Sequence, residues 1–273
     1  MNSAVQLFGR IVERFNRSAL WQSECVVWGQ RMRMATFDRW LYLHLHKLGW
    51  MGRAERAALT RLVRPGMTVV EVGSNLGLYT VLLSRLVGAK GHVLAFEPDP
   101  NLAPLLKWSG AASGCDNILI HAKALGRKRD RLMLHTLSVN SGDNHLSDGG
   151  GRLFRRSVEV EVVTMDEVAP GLVPDLVKID VQGWELEVLR GMGHLLDRCP
   201  EVTLYFEYWP AGFRRAGYSP EELIAFLSSQ GFQLFEAETL APLNQRALVE
   251  LTARITGLKH VDLVASRHAL RPA

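Results

Sequence analysis

The sequence predicts an α/β protein in which a mostly parallel seven-stranded sheet carries helices on both faces, a Rossmann-like arrangement preceded by an N-terminal helical extension. Three observations predict it. From Pro65 onward short β-branched runs alternate with helical segments, the pattern of parallel strands joined by crossover helices. An apolar strand ends in an acid and a glycine-punctuated turn at Glu71, Gly73 and Gly77, and such strand-to-helix turns hold ligands in open α/β sheets. A closing pair of strands, at 232–235 and 261–265, flanks a helical or irregular stretch. The size agrees, because 273 residues with 47% hydrophobic side chains fill one large domain plus an appended segment and leave little for two. The domain is placed at 65–273 and the extension, a helical cap, at 1–64.

In the extension, Leu7, Phe8, Ile11, Val12 and Phe15 share one helix face while Arg10, Glu13, Arg14 and Arg17 take the other, which makes an amphipathic helix. It can dock on a membrane surface or a partner, including a second copy in a homo-oligomer. Packing on its own domain as a cap over the ligand cleft is preferred, since one short apolar face gives weak membrane affinity. The stretch 28–37 reads as extended and 38–48 as helical. In the domain, strands fall at 68–72, 92–96, 118–122, 176–180 and 202–207, with helices at 76–87, 100–113, 184–196 and 220–230. Two further runs, 131–137 and 157–164, alternate Val158, Val160 and Val162 with Glu159 and Glu161 and read as a hairpin-type insertion. The polar, glycine-rich loop between them, 138–151, exceeds the usual connection length and reads equally as a mobile substrate lid or as disorder.

Composition excludes several classes. Cys25, Cys115 and Cys199 are far apart, with no CxxC pair and no His at ligand spacing, so neither a zinc site nor a disulfide framework is expected, and a reducing cytoplasm fits. No charged n-region precedes an apolar stretch at the amino end, and no run approaches the ~20 apolar residues of a membrane span. The net charge of +4 comes from basic residues scattered among acids, without an RNA-binding or zinc-finger signature, so nucleic acid is not an expected partner.

The chemistry concentrates in Glu71-Val-Gly-Ser-Asn-Leu-Gly77. Gly73 and Gly77 let backbone approach a ligand where a Cβ would collide, and the following helix start offers unpaired N–H groups. Glu71 can accept a hydrogen bond from, or pair with, a cationic amine. A dinucleotide needs GxGxxG, but from Gly73 the second and third glycines are replaced by Asn75 and Leu78, and an acid stands where phosphates would lie. A phosphate-free cofactor bearing an amino acid fits better. The next strand ends at Glu97-Pro98, 24 positions after Gly73, where an acid grips a ribose diol. The plain alternative is that Glu71 and Glu97 cap loops.

These residues resemble the FkbM family of S-adenosylmethionine-dependent methyltransferases. The likeness is carried by Glu71 to Gly77, by Phe96-Glu97-Pro98, by the block Val177-Lys-Ile-Asp-Val-Gln-Gly-Trp-Glu185, by Leu189-Arg-Gly191 and by Glu207, and it spans roughly 55–267. It implies a class I methyltransferase fold with S-adenosylmethionine as cofactor. Glu71, Gly73, Ser74, Asn75 and Gly77 would surround the methionine part, and Glu97 with Pro98 would hold the ribose. Lys123 and Ala124, with Leu125, would approach the adenine, and Asp180 would lie beside the methyl group and the acceptor. Gln182 departs from the family, which usually has an acid there, and this weakens a metal or base role at that position. The resemblance implies O-methylation of a sugar or secondary metabolite, hence a small-molecule or glycan acceptor, with N-methylation open.

Methyl transfer from a sulfonium is an in-line displacement, so the protein must align the acceptor and remove its proton. The candidate bases are Asp180, His145 and Glu207. Asp180 and Glu207 both end strands at the ligand edge, so the pair can raise one pKa to make a base, or can bind Mg²⁺. Structural alternatives are a helix N-cap for Asp180 and a solvent-exposed loop position for His145. Lys178 is expected on the face opposite Asp180, supporting the sheet edge. Trp184, Tyr205, Tyr208 and Trp209 are candidates for an acceptor pocket or for core packing. Two other readings compete: a nicotinamide-dependent oxidoreductase, disfavoured by Asn75 and Leu78, and a non-catalytic scaffold, suggested only by Gln182.

Overall fold

The computed structural model describes residues 24–35, 52–137, 145–146 and 155–270, with the backbone alone at Leu137, His145, Arg155 and Arg156. The amphipathic segment at 7–17, the helical expectation at 38–48 and nearly all of the loop 138–151 lie outside the described residues. Within the first 64 residues the chain forms a hairpin, β1 (Glu24–Val27) and β2 (Gln30–Arg33), and a helix α1 (Arg53–Leu62). The hairpin differs from the expected extended run over 28–37. Trp28 and Gly29 both have positive φ, so two residues suffice to reverse the chain with the twist that antiparallel strands need. Cys25, Val27, Met32 and Met34 then bury against Leu76, Leu78 and Leu102 beside the glycine turn.

The domain continues as β3 (Thr68–Val72), α2 (Leu78–Val87), β4 (His92–Phe96), α3 (Ala103–Ala112), β5 (Ile118–His121) and β6 (Ala124–Leu125). Next come β7 (Asp130–Leu137), β8 (His145–Leu146), β9 (Arg155–Val163), α4 (Met165–Val168), β10 (Leu176–Ile179), α5 (Glu185–Arg190), α6 (Gly193–Arg198) and β11 (Thr203–Tyr208). It ends with α7 (Pro210–Arg215), α8 (Pro220–Ser229), β12 (Gln233–Glu236), β13 (Pro242–Leu243), α9 (Gln245–Arg254) and β14 (Val261–Ser266). The main sheet runs β13-β12-β14-β11-β10-β3-β4-β5: the seven expected strands plus a two-residue edge at β13. Neighbours from β5 to β11 are parallel, while β14 runs against its neighbours β11 and β12 and the short β13 runs against β12.

Alternation along each strand sorts the two faces. Val69, Leu176 and Val264 point one way, toward α1 and α2. Val70, Val72, Val177, Ile179, Leu204 and Phe206 point the other way, toward α5, α6 and α8. Both faces are covered, which is why the parallel strands read as near-continuous apolar runs. One expected helix, 184–196, is two: the chain breaks between α5 and α6 because a Cβ at Gly191 would lie 1.9 Å from the Gly126 carbonyl oxygen. Here a loop backbone presses against the helix end, and only glycine admits that approach.

The insertion forms its own four-stranded sheet, ordered β6-β9-β7-β8. Val160 and Val162 are buried with Ala124, Leu134 and Leu146. On the outer face Arg131 pairs with Glu159, and Lys123 and Arg129 pair with Glu161. This is the apolar-in, charged-out alternation that the sequence predicts over 157–164.

Candidate active site

In the main sheet β3 and β10 are neighbours, while the chain proceeds from β3 outward to β4 and from β10 outward to β11 on the other side. The crossovers leave in opposite directions, and a crevice opens at the carboxyl ends of the strands where they part. A cleft occupies that position. Gly73, Asn75, Glu97 and Pro98 line one side of it, Lys123, Ala124, Leu125, Leu134 and Leu146 form a wall, and Asp180, Gln182 and Trp184 complete it.

The glycine turn is tied to β4 by two hydrogen bonds, from the N–H groups of Gly73 and Ser74 to the Phe96 carbonyl, both 3.0 Å. It therefore carries the next residue, Glu97, toward the turn itself. The Asn75 N–H donates to Glu97 Oε2 at 2.7 Å and the Asp99 N–H to Oε1 at 2.9 Å. Burial pushes the Glu97 carboxyl up to about 7, against the pull of these two N–H groups. Each oxygen keeps a further lone pair for a ligand hydroxyl. Gly77, in the left-handed region, starts α2 and lies against Leu106, so it shapes the turn without lining the cleft.

Glu71 differs from its expected place at an amine. It is fully buried, accepts from Thr80 Oγ1 at 2.5 Å and sits opposite Lys178 in the β3–β10 register. Burial pushes it up to about 7, and Lys178 and Thr80 pull it down. Ser74 is buried too, its hydroxyl donating to the Glu71 carbonyl. Both residues support the turn from beneath.

On the other side of the cleft Lys178 and Asp180 share a face, because side chains two apart in a strand point the same way. This corrects the expectation that they point apart: Lys178 Nζ lies 3.2 Å from Asp180 Oδ2. Burial pushes the Asp180 carboxyl up, but Lys178 and the Gln182 amide outweigh it and hold the group below its ordinary value. Lys178 itself is lowered by burial and raised more by Asp180 and Glu71. Asp180 does not cap a helix. The helix that follows, α5, has no side-chain cap at Trp184, and Glu185 Oε1 instead holds the turn before it, accepting from the N–H groups of Val181 and Gly183.

Glu207, at the end of β11, comes to the same point. Gln182 Nε2 donates to both Asp180 Oδ1 and Glu207 Oε2 at 3.0 Å, and His260 Nδ1 lies 3.5 Å from Glu207 Oε1. Burial and the carboxylates of Asp180, Glu185 and Asp262 push Glu207 well above its ordinary value. The pair is thus split: Asp180 ionises readily and Glu207 holds its proton. Gln182 and His260 carry no sequence signal for these contacts, since the strand ends must first be brought together. For Lys178 the signal was present in the two-residue spacing.

His145 stands opposite His135 in the β7–β8 ladder, and its side chain lies outside the described residues. Of the four aromatic candidates only Trp184 lines the cleft. Tyr205, Tyr208 and Trp209 are core residues, with the Tyr208 hydroxyl on Thr252 and the Trp209 indole on the Gly257 carbonyl.

The cleft can therefore grip a diol at Glu97, accommodate a flat apolar group against Leu125, Leu134 and Leu146, and present an ionised carboxylate at Asp180 to a third group. The family model described as Methyltransferase FkbM domain matches residues 71–234. The hexuronic acid methyltransferase AglP of Haloferax volcanii is 27% identical over 158 residues, covering 58% of this chain and 60% of the relative. Methyltransferase 1 of Beauveria bassiana is 26% identical over 145 residues, covering 45% and 57%. The chain thus spans 60% or less of the length of both curated relatives. A SAM-dependent methyltransferase from Aquifex aeolicus is similar in structure with a TM-score of 0.41 and 19% identity, over 80% of this chain and 94% of that one. No described helix is long and apolar enough to cross a membrane.

Proposed function

Because this chain belongs to the FkbM methyltransferase family, we propose that residues 65–273 use S-adenosylmethionine to methylate a hydroxyl on a sugar or secondary metabolite. The observation that carries the reading is the placing of Glu97 and Asp180 on opposite sides of one cleft. The relative that acts on hexuronic acid supports a sugar acceptor. The lining suits the cofactor chemically. Glu97 has lone pairs for two ribose hydroxyls, the wall from Lys123 to Leu125 with Leu134 and Leu146 suits a purine, and the turn at Gly73 and Asn75 admits the amino-acid portion.

When bound, S-adenosylmethionine supplies a methyl group on a sulfonium, an electrophile that needs no further activation. Asp180 is assigned as the general base: ionised beside Lys178 and 36% exposed at its side chain, it accepts the hydroxyl proton as the new bond forms. Glu207, holding its own proton, keeps a second negative charge away from that point. Trp184 and the small sheet exclude water from the reacting side.

Binding of S-adenosylhomocysteine tests the cofactor, and a concentration 100 times the dissociation constant should add about 2.7 kcal/mol of unfolding stability. Asp180→Asn should keep that stabilisation and lose turnover by about 10²- to 10⁴-fold. Stabilisation by NADH with none by S-adenosylhomocysteine would overturn the reading.

A further inference from the structure

Asp180 and Glu207 approach each other across a single nitrogen. Gln182 Nε2 is 3.0 Å from an oxygen of each, and an amide nitrogen carries two hydrogens, so each carboxylate takes one. With Asp180 ionised and Glu207 holding its proton the pair carries one negative charge, and the amide fills the space between the two carboxyl groups that a cation would need. In this chain a neutral donor is in place, and the backbone around it is arranged to keep it there.

Gln182 adopts φ +55°, a conformation uncommon for a residue with a Cβ. Its carbonyl accepts from Arg215 Nη2 at 2.9 Å. The flanking N–H groups of Val181 and Gly183 are both held by Glu185, and the Gly183 carbonyl by the Tyr218 hydroxyl. The far oxygens of the pair have their own partners, the Lys178 ammonium on Asp180 and the His260 ring on Glu207.

We propose, building on the methyl-transfer reading, that Gln182 is a positioning residue whose amide takes the seat a divalent cation would occupy between Asp180 and Glu207. The acceptor hydroxyl is then deprotonated at Asp180 without a bound metal ion. The step balances: the O–H bond breaks with its proton going to an Asp180 oxygen, the O–C bond forms, and the C–S bond breaks with its electron pair going to sulfur. A corollary follows for the same position. An acid at 182 would join two existing carboxylates and create a site for a hard cation.

The test uses Mn²⁺ as the probe, read by the loss of its free-ion paramagnetic resonance signal, on the full chain with S-adenosylhomocysteine present. Wild type should leave the signal unchanged and turn over equally with or without chelator. Gln182→Glu should bind one Mn²⁺ and lose it again when Glu207→Gln is added. Gln182→Ala should lower kcat by about 10²-fold, the cost of about 1 Å of misplacement, while the cofactor KM stays put. Mn²⁺ binding by wild type that Asp180→Asn abolishes would overturn the proposal, as would wild-type kcat in Gln182→Ala. The affinity for S-adenosylhomocysteine, measured on the same samples, reports separately on the methyl-transfer reading.

Discussion

Gly73 has no space for a side chain: a Cβ there would stand 1.9 Å from the Asp180 carbonyl oxygen, at a φ of +86°. Gly217 has a similar φ, +94°, and open space around it. The two positions separate backbone strain from collision. Gly217→Ala should cost about 1–2 kcal/mol in urea unfolding, the strain alone. Gly73→Ala should cost about 3 kcal/mol or more, because the obstacle is main chain and cannot rotate away, and it should also lose affinity for S-adenosylhomocysteine. Equal losses at the two positions would show that the contact carries nothing. The meeting of the Gly73 turn with Glu97 was legible in the sequence because it depends on local spacing. The meeting of Gln182 with Glu207 was not, because it depends on how β10 and β11 lie side by side.

Among the elements, the carboxyl end of α2 is tied to the start of β5 by the side chain of Asn117. Asn117, just before β5, donates through Nδ2 to the carbonyls of Gly88 at 2.9 Å and Gly91 at 3.0 Å, with a longer contact to Ser84. It accepts from the Ser84 hydroxyl through Oδ1. Asn117→Ala strips partners from several carbonyls at a helix end and should cost about 2–3 kcal/mol. Ser84→Ala removes one bond and should cost about 1 kcal/mol, and a double-mutant cycle should reveal coupling between the two. Additive losses would count against the network. The strands of the main sheet were legible because burial on both faces writes them as apolar runs. The hairpin at 24–33 was not, since Trp28-Gly29 lacks the Asn-Gly or Asp-Gly signal of such turns, and the break at Gly191 comes from a contact with a distant loop.

At the scale of the molecule, the face of the sheet toward α1 and α2 carries a row of ionisable groups, Glu71, Lys178, Asp180, Tyr205, Glu207 and Asp262, while the opposite face is apolar. That arrangement sets the response to pH. Burial pushes the carboxyls of Glu71 and Glu185 up to about 7, so between about pH 4.5 and 7 the folded chain binds more protons than the unfolded one. Stability then falls as pH rises through this window. Asp180 acts in the opposite sense, its contribution being lost only as pH drops through its depressed pKa. Urea unfolding at pH 5 and pH 7.5 should show a decline in wild type, smaller in Glu185→Gln by on the order of 2–3 kcal/mol. An unchanged difference would mean that Glu185 is ionised in the fold. A hairpin-type insertion was legible from the valine–glutamate alternation, but its growth into a four-stranded sheet and its place beside the cleft were not, for Leu134 and Leu146 reach the cleft only once the insertion folds back over the strand ends. That construction has an evolutionary corollary. The reacting groups are rooted in the large sheet and the wall beside them in the small one, so mutations that reshape the wall leave the reacting groups where they are, and descendants of this gene can retune how tightly the proposed cofactor is held by drift in the insertion alone.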